Sequence, residues 1–220
     1  MLARNLLVLF LLLGFPFLAL AEGGKVESAG AFSDAAASAS IKGALEADGY
    51  KVSLADGSEL CRIWLRKGFV SRPKTEVAGA IITEIPDSSL VGVITFAKNA
   101  TDYRGQMVKA GTYTLRYALQ PQDGNHLGIA PSRDFLLMVP IALDQDAGAQ
   151  YKFEELVKMS AKSAGTNHPA GLSMVSAEGQ KTFPSAIQDD SGHTIFVTKL
   201  KTSTGGEIAF GLIVKGVADQ

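Results

Sequence analysis

From Tyr50 onward the chain alternates apolar and polar positions with a period of two. Tyr50-Lys-Val-Ser-Leu54 and Glu59-Leu-Cys-Arg-Ile-Trp-Leu65 are the first such runs, separated by Asp56-Gly57. Successive side chains of a strand point to opposite faces, so this pattern predicts strands with one buried face. Asp-Gly adopts the positive φ angles of a tight turn, so the two runs are expected to form a hairpin. Within the second run Cys61, Ile63 and Leu65 share one phase, and Leu60, Arg62, Trp64 and Arg66 share the other.

Six further segments are β-branched, aromatic and bounded by turn residues. They are Gly79 to Ile85, Val91 to Ala97, Thr112 to Gln120, Phe135 to Leu143, His193 to Leu200 and Glu207 to Lys215. Thr204-Gly205-Gly206 joins the last two as a second hairpin. One segment has the helical period instead. Residues 151–164 place Phe153, Leu156, Val157 and Ser160 on one stripe, with Lys158 and Lys162 near the end and Gly165 as the stop. Strands before and after a lone helix predict a mainly β fold, an antiparallel β-sandwich with one amphipathic helix, rather than βαβ units.

The first 48 residues read differently. Leu6 to Leu20 is one apolar run containing Gly14 and Pro16, preceded by Arg4 and followed by the small-x-small triplet Ala19-Leu20-Ala21. A membrane-spanning helix needs ~20 apolar residues. This shorter, interrupted run reads as a signal peptide over 1–21, so a periplasmic or extracellular location is expected. Residues 22–48 are rich in Ala, Ser and Gly and poor in bulky apolar side chains, which reads as a flexible leader. The alternative there is a short helix over Asp34 to Ala47, since Ala is the best helix former. Residues 49–220 are then a single domain.

Composition narrows the function classes. Apolar residues make up 46 % of the chain, enough for a core. Lys and Arg number 21 against 22 Asp and Glu, a balance that lacks the positive field a nucleic acid would require. A single cysteine, Cys61, forms no internal disulfide, so packing alone must hold the fold. In phase with Ile63 and Leu65, it reads as a small core hydrophobe rather than a nucleophile. Trp64, between Arg62 and Arg66, is either an exposed platform for a sugar or peptide or a ring packed under the 151–164 helix with both Arg stems covering it. No G-x-S-x-G elbow or Walker loop occurs, and no cofactor is expected.

Two loops carry the candidate binding residues. Gln120 to Asp134 is long for a connection between strands and contains His126 and Arg133. Thr166-Asn-His-Pro169 follows the helix and presents Asn167 and His168, whose plainer role is to bond the free carbonyls of the helix end. His126, Arg133, Asn167 and His168 are therefore the expected ligand-binding set. Three imidazoles, His126, His168 and His193, also permit a metal site, although none has metal-ligand spacing to another.

Val93-Ile-Thr-Phe96 with Lys109-Ala-Gly-Thr-Tyr-Thr-Leu115 resembles a strand–turn–strand signature of a domain family of unknown function found in small secreted bacterial proteins. The run from Gly111 to Gly128, with Gly165-Thr-Asn-His-Pro169, is similar to uncharacterised exported proteins of environmental bacteria. The resemblance implies a β-sandwich and export; it implies no activity. The expected function is a non-catalytic binding or structural module of the cell envelope, with a small molecule or an envelope protein as partner. The alternative is a metal-binding protein or metal-dependent enzyme using the three histidines.

Overall fold

The computed structural model describes residues 23–121 and 130–218. It is mainly β. The strands in chain order are β1 (Lys25–Gly30), β2 (Gly49–Ser53), β3 (Glu59–Leu65), β4 (Leu90–Phe96), the short pair β5 (Ala100–Thr101) and β6 (Met107–Val108), β7 (Gly111–Leu119), β8 (Asp134–Pro140), β9 (Gly171–Val175), β10 (Ser185–Gln188), β11 (Thr194–Lys201) and β12 (Glu207–Lys215). Helix α1 spans Ala39–Ala44 and α2 spans Phe153–Ala164.

Ten strands form one antiparallel sheet in the order β1-β2-β3-β4-β7-β8-β9-β12-β11-β10. The expected apolar faces do close over each other, through a single sheet that curls nearly into a barrel. Its two edges come together beside Gly23, where a Cβ would collide with the Ile187–Gln188 peptide. Both predicted hairpins form, β2–β3 across Gly57 and β11–β12 across Gly205, each glycine holding a positive φ.

Alternation decides what fills the interior. Cys61, Ile63 and Leu65 of β3, Leu115 and Tyr117 of β7, and Phe196 of β11 all point into one core. Burial pushes the Cys61 thiol far above its ordinary range, consistent with an inert hydrophobe. The opposite phase of β3 places Trp64 outside the barrel, yet it is only 5 % exposed. Ile41 and Leu45 cover it, Phe32 packs against it with ring centroids 5.1 Å apart, and its indole N–H donates to Gly30 O at 2.8 Å. The platform alternative for Trp64 therefore fails, and the helix that covers the ring is α1 rather than the one over residues 151–164.

Three other expectations are corrected. Residues 22–48 are not a flexible leader throughout: Lys25–Gly30 pairs with β2, and Ser38 caps α1, which buries Ile41. The polar composition of β1 hid it because its pairing comes from backbone groups. Gly79 to Ile85 is not a strand. It crosses one end of the barrel, where the Asp134 carboxylate accepts the Ile81 and Ile82 N–H groups, and the Tyr117 hydroxyl shares its single proton between Ile82 O and Asp134, each 2.7 Å away. Side chains thus supply the partners that a neighbouring strand would have provided. Phe135 to Leu143 stops as a strand at Pro140, which lacks an N–H, and turns into a short 3-10 helix over Ile141–Leu143.

Candidate functional site

Helix α2 lies across the outer face of the sheet. Glu154 and Glu155 occupy its first turn, where the helix dipole favours acids, and Gly165 ends it in the left-handed region at φ 66°. Its serines tie it to the sheet. Ser163 Oγ donates to Met138 O at 2.8 Å, and Ser160 Oγ donates to Ala170 O at 2.9 Å. Leu156 is buried against Ala118, Leu137 and Val139. Phe153, expected on the buried stripe, is instead 40 % exposed.

Beside α2 the sheet face is left uncovered, and a groove of about 310 Å³ opens there. Ala118, Leu119, Phe135 and Leu137 form its floor, and Phe153 and Val157 its helical wall. Gly171 keeps the floor flat, since a Cβ there would press within 3.2 Å of the Phe135 ring and 3.3 Å of Leu137. A second hollow of about 280 Å³ shares Ala118, Leu119 and Phe153 and continues toward Asp87 and Tyr151.

Two turns close the opposite end. The first is Asp102-Tyr-Arg-Gly-Gln106, wound around the buried Asp102 carboxylate, which accepts the backbone N–H groups of Arg104 and Gln106 and the Gln106 side-chain amide. Desolvation raises the Asp102 pKa, and these bonds work against that rise. The second is Thr166-Asn-His-Pro169. Gln106 Nε2 donates to Pro169 O at 3.1 Å, Thr166 Oγ1 donates to Gln106 Oε1 at 2.6 Å, and Tyr103 N donates to Gly171 O at 2.9 Å. These bonds lock the turns together and set Tyr103, Arg104, His168 and Pro169 on the groove.

The expected ligand-binding set disperses. His168 lines the groove, and Asn167 is exposed in the same turn. Arg133 does not line it: its Nε donates to Gln120 O at 2.8 Å and its guanidinium to Ala78 O at 3.0 Å, which staples two loops. His126 lies outside the described residues. His193 is buried, with Nδ1 2.8 Å from Asp189 and Nε2 3.0 Å from Val217 O, so both ring nitrogens are engaged within the fold. Among the described residues no group of three or more His, Cys, Asp or Glu side chains could hold a metal ion.

Sequence reasoning missed Arg104, Tyr103 and the exposure of Phe153. The Asp-x-x-Gly spacing of Asp102 and Gly105 is a turn signal that could have located the first turn. No family model, curated protein or solved structure matches the chain.

Proposed function

We propose that this chain is a non-catalytic binding module, exported by its N-terminal signal segment, that takes a small ligand with an apolar body in the groove beside α2. The observation that carries this reading is the groove itself. It has a pre-formed apolar floor, a half-exposed aromatic wall, and a volume at the lower end of the ~300–1,000 Å³ typical of small-molecule sites. Buried ionisable groups elsewhere support a non-catalytic role, because Asp102, Asp134, Arg116 and Asp144 all hold backbone or each other.

The test is saturable fluorescence enhancement of the neutral dye N-phenylnaphthylamine by the purified protein. Val157→Glu, which puts a charge in the groove wall, is expected to abolish it. Val70→Glu, at an exposed position that does not line the groove, should leave it intact. Non-saturable enhancement, or equal binding by the Val157 variant, would refute the reading.

A further inference from the structure

We infer that the ligand of this groove is an amphipathic anion, its carboxylate or phosphate head held by Arg104 and His168 and its apolar body lying along Phe135 and Phe153. The inference rests on the groove being a ligand site and adds the chemistry of the ligand.

The described arginines provide the first argument. Arg62 pairs with Glu59, Arg66 donates to Ala147 O, Arg72 to Thr83 O, Arg133 to Gln120 O and Ala78 O, and Arg116 is fully engaged with Asp144 and backbone carbonyls. Arg104 alone among them has no side-chain hydrogen bond or ion pair. It is exposed, and its turn is held rigid by three bonds to Asp102. A guanidinium is always charged, and its planar fork matches a carboxylate or phosphate in two-point contact.

The distribution of charge along the groove provides the second. Arg104 and His168 sit at one end, and no acid is among the described residues lining the groove. Asp87 lines only the second hollow, beyond Phe153. Asp102, beneath the first turn, directs its oxygens at that turn's own N–H groups. The site therefore offers positive potential at one end and apolar surface along its length, the complement of a charged head on an apolar tail. Locking of the two turns through Gln106 fixes the spacing of the backbones that carry Arg104 and His168 before any ligand arrives, which lowers the ordering cost of binding.

Isothermal titration of the purified protein with octanoate, octyl phosphate and octanol tests this, since the three share one tail. Either anion should bind about 10-fold tighter than octanol, the scale of a charge-assisted contact at a partly desolvated site. The double variant Arg104→Gln with His168→Gln should erase that preference while leaving octanol affinity and the circular-dichroism spectrum unchanged. The tighter of the two anions identifies the head group. Equal affinity for octanol and the anions, or an anion preference that survives the double variant, overturns the inference. If none of the three binds, the inference also falls. Dye fluorescence then separates the cases: if it is retained only the anion assignment fails, and if it is lost the groove reading fails as well.

Discussion

Arg116 and Ala118 stand two residues apart on the outer face of β7, and the fold treats them in opposite ways. Around Arg116 everything is closed. Its Nε and one terminal nitrogen bind both Asp144 oxygens at 2.7 Å, and the remaining donors reach Ser88 O, Ala149 O and Asp146 O. Tyr151 lays its ring 4.9 Å from the guanidinium and donates its hydroxyl to Asp144. Around Ala118 the face is open, and α2 leaves the groove beside it. A buried ion pair persists only where hydrogen bonds compensate its desolvation, so the loop after β8 must wrap Arg116 completely. Apolar surface makes no such demand, and a small side chain there leaves room for a guest.

Breaking the closed region should have the largest effect. Arg116→Met leaves Asp144 buried without its partner and is expected to cost about 3–5 kcal/mol, read by urea unfolding. Asp134→Asn comes next, because one of the two oxygens that accept Ile81 N, Ile82 N and the Tyr117 hydroxyl becomes a donor. A loss of about 1–3 kcal/mol is expected in the same measurement.

A gentler probe of the closed region is its phenol. Burial and the neighbouring Asp144 push the Tyr151 pKa up from 10.0 to about 12. The folded chain therefore keeps this proton where the unfolded chain has lost it. The contribution to stability is intact below pH 10 and is lost as pH rises toward 12, which ultraviolet difference absorbance against denaturant would follow. The smallest effect is expected at the open region, where Arg104→Gln should change unfolding stability by less than about 0.5 kcal/mol. A large loss there would show that the arginine holds the turn rather than facing a ligand.

What could be read in the chain follows the same division. The alternation in Tyr50–Leu54 and Glu59–Leu65 revealed β2 and β3 because one face of each strand meets the core. The helical period revealed α2 for the same reason. β1 was hidden because Lys-Val-Glu-Ser-Ala-Gly has only one bulky apolar residue, and its partners are backbone groups of β2. Gly79–Ile85 misled because Ile81, Ile82 and Ile85 are apolar for another reason: they pack over one end of the barrel. His168 could be found as a polar residue in a turn after a helix. Arg104 could not, because its importance lies in which arginines already have partners, and one-dimensional spacing does not record that.

The close approach of Gly23 to the Ile187–Gln188 peptide has a consequence for assembly. The edges that meet there, β1 and β10, lie far apart in sequence, so bringing them together closes a long loop. The hairpins gain their contacts at far shorter separation in sequence. In the finished sheet β1 and β10 remain its two edge strands, brought close to each other at Gly23, which makes this junction the point most open to pairing with a stranger.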